Sequence, residues 1–333
     1  MGRNTNETTR LIPKTDSQNA APPLKFPLGL VSEGVRPYLE LIRLEKPTGT
    51  ILMFWPFAWG LTMAAYTNQH PLQQYGKDII KSFIAAFLLR SSACTINDIF
   101  DRKMDAGVER CRTRPLASGR VSVFAAVTYL FIQYALGVIF FLWTVDNQLA
   151  LQVALFQLLP LFGIYPLMKR VTYWPQAWLG FAMNFGFITA WVSTTGSLDF
   201  RVLGAAMTGC WCWTMLYDTI YACQDMKDDV KMGVRSTAIL WGSWIRPLLV
   251  LCGLGFISML AFAGYINQQG PAYFVIGIGG TFLHLLWQYN TVDLGVPKSC
   301  WDNFNSNGHL GWILWGGAFL DYLIKTGVVV INL

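Results

Sequence analysis

Apolar residues gather in nine runs along the chain, with approximate limits 49–66, 79–96, 122–143, 149–166, 174–195, 203–221, 247–266, 272–288 and 310–331. A helix of about 20 residues spans the hydrocarbon core of a bilayer, so each run is a candidate crossing. Several contain Gly or Pro, which membrane helices tolerate. Most connections are short, but the ones after the second and sixth runs are long. Long loops in a compact bundle often act as lids or binding loops. The pattern predicts an all-α integral membrane protein with nine transmembrane helices.

Ahead of the first run, residues 1–36 are polar, with Ala21-Pro22-Pro23 among Asn, Thr, Ser and Gln. No apolar core can form there, so this stretch reads as a disordered tail, and residues 37–333 as one membrane domain. The tail has no early apolar region of the secretory type. Glu7 and Asp16 interrupt Arg3, Arg10 and Lys14, which fits a mitochondrial presequence poorly. Asn6-Glu7-Thr8 has the glycosylation pattern. Pro37 to Lys46 alternates Tyr38, Leu39, Leu41, Ile42 and Leu44 with Glu40, Arg43 and Glu45. It reads as a short interfacial helix, with Pro47 opening the next one.

Composition agrees with a membrane protein. The 333 residues are 53% hydrophobic and 13% charged, with a mean hydropathy of +0.38. A soluble domain carries about 25% charged residues. The net charge of +6 has a topological origin and does not point to nucleic acid. If the first run enters from the cytosol, cytosolic loops hold Arg102, Lys103, Arg110, Arg112, Arg114, Arg120, Lys169, Arg170, Lys227, Lys231, Arg235, Arg246 and Lys298. The opposite loops hold only Lys77 and Arg201. This is the positive-inside asymmetry, and it makes the tail and its sequon cytosolic. The seven cysteines lie mostly in apolar runs and read as packing residues without a disulfide framework. The three histidines are scattered and form no ligand pair.

The chemistry gathers at the cytosolic ends of the second and sixth runs. Asn97-Asp98-Ile99-Phe100-Asp101-Arg102-Lys103-Met104-Asp105 follows the second. On a continuing helix, Asp98, Asp101 and Asp105 share one face. Asp218, Asp225, Asp228 and Asp229 follow the sixth, with Asp225 and Asp229 four residues apart. Eight of the 19 acidic residues fall in these two windows, counting Glu109. Like charges on one face repel unless a cation joins them. Hard oxygen ligands suit Mg²⁺, which is usually shared with substrate phosphates. Arg and Lys flank both clusters, so the ligand that needs both is an anion arriving with Mg²⁺, and a diphosphate fits best. Arg90 lies inside the second run, seven residues before Asn97. An intramembrane Arg usually faces an interior cavity, so it is expected to point toward the diphosphate; a structural ion pair is the other reading. Arg43 either does a similar job or snorkels at the interface. No Gly-rich phosphate loop and no Ser-His-Asp or Cys-His constellation is present, so the chemistry reads as metal-assisted ionisation.

Asn97-Asp98-x-x-Asp101-x-x-x-Asp105 resembles the first motif of the UbiA-type intramembrane aromatic prenyltransferases. Tyr217-Asp218-Thr219-Ile220-Tyr221-Ala222-x-x-Asp225-x-x-Asp228-Asp229 resembles the second. Further similarity runs through Arg43-Leu44-x-Lys46-Pro47-x-Gly49, Thr113-Arg114-Pro115-Leu116, Tyr165-Pro166-x-x-Lys169-Arg170, Pro175-Gln176 and Lys231-x-Gly233-x-x-Ser236-Thr237. It covers about residues 37 to 330 in order.

The resemblance implies a nine-helix bundle around a central cavity capped by two Asp-rich cytosolic loops. It implies Mg²⁺ held by Asp98, Asp101, Asp225 and Asp229, with Asn97 and Asp105 assisting. Arg43, Arg90, Lys169 and Arg170 would neutralise the diphosphate or an aromatic carboxylate. An electron-rich ring would then attack the allylic cation, and Asp218 is a candidate for taking the proton. The chain looks most similar to the fungal meroterpenoid branch, which implies farnesyl diphosphate as donor, a polyketide-derived phenolic acid or pyrone as acceptor, and an endomembrane location. No obligate protein partner is evident. Two alternatives stand beside this reading. One is the 4-hydroxybenzoate polyprenyltransferase of ubiquinone biosynthesis. The other is a divalent-cation or anion transporter, which should keep ionisable groups near mid-bilayer, where the runs here are nearly uncharged.

Overall fold

The computed structural model describes residues 26–330, and every regular element in that span is helical. The amino-terminal tail reading falls on residues 1–25, outside the described part. Its last eleven residues are partly ordered. Leu28–Leu30 forms a single 3-10 turn with Leu28 buried, and Arg36 Nε donates to the Leu28 carbonyl at 3.3 Å.

Helix α1 (Arg36–Leu41) is followed by α2 (Thr48–Asn68), α3 (Leu72–Asp105) and α4 (Val123–Thr144). Helices α5 (Gln148–Phe156) and α6 (Phe162–Val171) are joined by a π turn over Gln157–Leu161, where Pro160 cannot donate to the helical ladder. Helices α7 (Pro175–Asn184) and α8 (Gly186–Thr195) follow each other across Phe185. Next come α9 (Phe200–Ala222), the short α10 (Met226–Met232) and α11 (Thr237–Trp241), and α12 (Ile245–Ile266). A π segment, Tyr273–Gly279, runs into α13 (Gly280–Thr291), and α14 (Pro297–Lys325) closes the described chain.

Side chains start several of these helices as expected from local chemistry. Ser122 caps α4, Asn147 caps α5, Asp199 caps α9 and Ser236 caps α11, each accepting from a backbone N–H in the first turn. The interfacial helix expected over Pro37–Lys46 is shorter than that. It stops at Leu41, because Arg43 adopts the left-handed backbone conformation (φ 59°).

Each apolar run of the sequence coincides with a helical rod. Four rods are long and apolar enough to cross a membrane: Leu72–Asp105, Val123–Thr144, Gln148–Val171 and Thr237–Ile266. Helix α2 is not among them, and its surroundings differ. In α2, 16 of 21 residues are buried, among them Trp55, Trp59, Pro56, Gly60 and Thr62. It packs against α3, α8 and α14, so its neighbours are protein on nearly every side. Its polar atoms find partners there. Trp55 and Trp59 Nε1 donate to the Gly308 and Gly311 carbonyls at 3.1 and 3.3 Å, and the Thr62 hydroxyl meets Tyr75 Oη at 2.8 Å. In α4, by contrast, only Ala126, Leu130, Gln133, Gly137 and Phe141 are buried, and Phe124 and Trp143 are more than 80% exposed. Such a surface suits lipid.

Candidate active site

The last turns of α3 and α9 line the same cavities at one end of the bundle. Helix α3 continues well past its apolar run, and the carbonyl ladder carries Asp98, Asp101 and Asp105 on one buried face. A cavity of about 380 Å³ opens there. Its lining includes Arg43, Lys46, Arg90, Asn97, Asp98, Arg110, Arg114, Lys169 and Asp218, together with Phe162, Tyr165, Leu179, Tyr221, Trp301 and Phe304. An adjoining cavity of about 120 Å³ shares Arg110, Arg114, Tyr165, Lys169, Asp218 and Tyr221, and adds Asp101, Asp105, Asp225 and Asp229. The two together form a polar chamber with an aromatic and aliphatic wall.

Basic side chains tie down most of the carboxylates. Arg43 Nη2 donates to both oxygens of Asp98 at 2.6 and 2.9 Å, while its Nη1 donates to the Glu40 carbonyl at 2.9 Å. Its left-handed backbone holds the guanidinium in this two-sided grip. Arg114 Nη1 donates to Asp105 at 2.7 Å and lies 3.4 Å from Asp98. Lys169 Nζ donates to Asp101 at 3.2 Å. Arg110 donates Nε to Asp225 at 3.0 Å and Nη2 to its other oxygen, with Nη1 2.6 Å from Tyr221 Oη. Asp218 and Asp229 line the chamber and form no ion pair among the described residues. Burial first, and the Asp225 charge second, push the Asp229 carboxyl up to about 6.

Arg90 lines the chamber with its Nε buried and without a hydrogen-bond partner. Gly49 makes room for it, since a Cβ there would meet the guanidinium at 2.5–2.8 Å. No carboxylate pairs with Arg90 among the described residues, so the structural ion-pair reading has no partner here. Arg170 lies apart. It is exposed, donates to the Phe100 carbonyl at 2.6 Å, stays 3.9 Å from Asp101 and is absent from the chamber wall. Asp228 also faces outward, toward Lys231 at 3.3 Å.

Four wall residues are not evident as site residues from spacing alone: Arg110, Arg114, Tyr165 and Tyr221. The two arginines come from the loop after α3, where they count only toward the charge asymmetry. The available signal was the Thr113-Arg114-Pro115 and Tyr165-Pro166 similarity.

The donor set fits Mg²⁺. The oxygens are hard, and two of them, Asn97 Oδ1 and Asp101 Oδ1, are buried without a hydrogen-bond partner. Among the described residues no three acidic, His or Cys side chains converge on a point.

The fold is an all-helical bundle with rods suited to a bilayer, and the chamber at its end sets charged side chains beside an apolar wall. Residues 53–315 match the model of the UbiA prenyltransferase family. A UbiA prenyltransferase, claS, from Ampulloclitocybe clavipes is 46% identical over 88% of this chain and 93% of its own length. The mitochondrial 4-hydroxybenzoate polyprenyltransferase of Schizosaccharomyces pombe is 37% identical over 94% of this chain and 89% of its own. Among solved structures, a UbiA homolog from Aeropyrum pernix K1 superposes with a TM-score of 0.68 at 22% identity, over 81% of this chain and 97% of that one. A UbiA homolog from Archaeoglobus fulgidus, bound to DMAPP and Mg²⁺, gives 0.64 at 18%, over 86% and 99%. The chain belongs to the UbiA prenyltransferase family and is a prenyltransferase of the integral membrane type.

Proposed function

We propose that the protein transfers a farnesyl group from farnesyl diphosphate to a polyketide-derived phenolic acid or pyrone, in a Mg²⁺-dependent reaction of fungal meroterpenoid metabolism. The observation that carries this reading is the chamber itself. Seven cations and six carboxylates line the two adjoining cavities, whose other wall is aromatic and aliphatic. The 46% identity to a fungal UbiA prenyltransferase supports the branch. The 4-hydroxybenzoate relatives, at 35–38% identity, favour a second reading in which the acceptor is 4-hydroxybenzoate and the donor a longer polyprenyl diphosphate.

In this reading, Asp98, Asp101, Asp105, Asp225 and Asp229 would hold Mg²⁺, with Asn97 Oδ1 assisting. When bound, the metal supplies positive charge to the departing diphosphate. Arg43, Arg90, Lys169 and the loop arginines hold the diphosphate oxygens, where negative charge grows as the allylic C–O bond breaks. Phe162, Tyr165, Leu179 and Phe304 keep water from the allylic cation and offer it π faces. The acceptor ring then forms the new C–C bond, and the displaced ring proton passes to Asp218, which forms no ion pair among the described residues. Arg170 serves the rim. The nine rods cross the bilayer with the chamber at the cytosolic face of an endomembrane.

Microsomes from a heterologous host test this. Geranyl, farnesyl and geranylgeranyl diphosphates are supplied with phenolic acids and pyrones, with and without EDTA. The expected result is a farnesylated aromatic that vanishes with EDTA. Product only from 4-hydroxybenzoate and a long polyprenyl donor, or rescue of a ubiquinone-deficient strain from mitochondria, moves the protein to the second reading. Mg²⁺ uptake into vesicles without any prenyl turnover overturns both.

A further inference from the structure

We propose that the groove between α12 and α13 binds an anionic phospholipid of the surrounding bilayer, with an acyl chain in the groove and the headgroup phosphate on Arg246. This site is separate from the chamber and does not depend on the prenyl-transfer reading.

A cavity of about 220 Å³ lies between α12 and α13, with α9 behind it. Leu216, Ile220 and Leu285 belong to its buried floor, and Leu254, Phe282 and Leu286 to its exposed rim. Gly253 deepens it, since no side chain projects from α12 at that point. Gln288 and Tyr289 are the only lining side chains with polar atoms, and Gln288 donates to Ser306 of α14 at 2.6 Å. The groove shares no lining residue with the chamber. On α9, Asp218 and Tyr221 line the chamber, whereas Leu216 and Ile220 line the groove. Helix α9 therefore stands between the two volumes, and a chain in the groove does not enter the chamber.

One cation stands at the mouth of this groove. Arg246, in the first turn of α12, donates Nη2 to the Val292 carbonyl at 3.0 Å, and its guanidinium lies 5.9 Å from the centre of the Tyr289 ring. Val292 and Tyr289 both line the groove. Arg246 is exposed and forms no ion pair among the described residues. One hydrogen bond and one ring hold the guanidinium in place, which leaves further N–H groups for a phosphate, an anion that the Arg fork matches well. Trp244, two residues earlier, is 68% exposed, and exposed Trp marks the headgroup level of a membrane protein. An apolar slot with a guanidinium at that level matches the two halves of a phospholipid. Charge selects an anionic one. Arg246 lies on the side that the positive-inside asymmetry predicts to be cytosolic, and the cytosolic leaflet carries the anionic lipids.

Wild type, Arg246→Gln, Gly253→Leu and Arg112→Gln are purified in an uncharged detergent. Each is titrated with phosphatidylglycerol or phosphatidylcholine of the same acyl composition while its melting temperature is followed. A ligand that binds the folded state raises the melting temperature, so the half-maximal concentration reports affinity. Wild type is expected to reach its half-maximal shift at an about fivefold lower concentration of phosphatidylglycerol, the value of one Arg facing an anionic headgroup. Arg246→Gln is expected to lose that preference and keep the phosphatidylcholine response. A Cβ at Gly253 stands 3.4 Å from Leu216 and 3.6 Å from Leu285, ordinary contact distances, so Gly253→Leu is expected to melt near wild type in detergent alone and to lose the shift with both lipids. Arg112→Gln, which removes an exposed cation that lines neither the groove nor the chamber, is expected to keep the preference. A preference that survives in Arg246→Gln, that falls equally in Arg112→Gln, or that is absent from wild type overturns the assignment. Farnesyl diphosphate that displaces phosphatidylglycerol without Mg²⁺ and binds Arg246→Gln more weakly would make the groove a donor site instead. A dimer of wild type that Gly253→Leu dissociates would make it an interface between two copies.

Discussion

The two acidic motifs serve one chamber but are built on different foundations. The first is part of a 34-residue helix, and Asp98, Asp101 and Asp105 are all buried, at 1%, 2% and 8% exposure. Each is held by cations from other elements: Arg43 before α2, Arg114 from the loop and Lys169 on α6. The second motif straddles the end of α9 and the seven-residue α10, which has no buried residue. Its one strong tie is Arg110 to Asp225. Same chemistry, then, on a rigid wall and on a light flap. Charge placement alone does not make a site stiff; the length and burial of the carrying helix do.

The comparison can be broken by substitution. Asp98→Ala is expected to have the largest effect, removing turnover by at least about 100-fold and also lowering stability, since stripping one partner from a buried ion pair costs about 3–5 kcal/mol. Asp225→Ala is expected to lose turnover by a similar factor but to melt within a few degrees of wild type. If both variants melt alike, the wall-and-flap distinction fails. EDTA treatment should abolish turnover of wild type and restore it on Mg²⁺ addition, with little change in melting, because Arg and Lys already neutralise the first motif. Arg114→Ala is expected to cost more stability than Arg110→Ala, since Arg114 reaches two buried carboxylates and Arg110 one half-exposed pair. A reversed order would place the rigid anchor in the flap.

The smallest effects belong to the flap's outer side. Asp228→Ala should leave turnover within about twofold, as Asp228 meets only Lys231 at the surface. Asp229→Asn should raise metal-free stability slightly above pH 6. The folded-state pKa of Asp229 is raised, so its contribution is favourable at low pH and is lost as pH rises through about 6. The gain should therefore fade toward pH 4. A gain that persists at pH 4 would show that ionisation is not its cause.

Much of this was legible in the sequence. The nine runs locate the nine rods among the described residues, and helical spacing correctly puts Asp98, Asp101 and Asp105 on one face. What spacing could not show was who answers those charges. Arg110 and Arg114 come from an irregular loop, where no period relates a residue to its partner. Tyr165 and Tyr221 lie inside the stretches of family similarity, but spacing gives neither a role until the bundle closes around them. Arg170 shows the converse. Adjacent to Lys169, it binds the Phe100 carbonyl and lines neither cavity, because neighbours on a helix are about 100° apart. The break at Arg43 was also hidden, since a left-handed Arg has no sequence signature.

The enclosure of α2 has a consequence for how this sequence can drift over time. Lipid yields to shape, so α4 can trade one apolar side chain for another with little penalty. Around α2 the neighbours are fixed. A methyl added at Gly60 would run into the Phe187 backbone, and one at Gly311 into the Trp55 ring. Substitutions accepted along this chain should therefore accumulate on the outer helices and thin out toward α2, giving a record of change whose quiet centre marks the helix walled in by other helices.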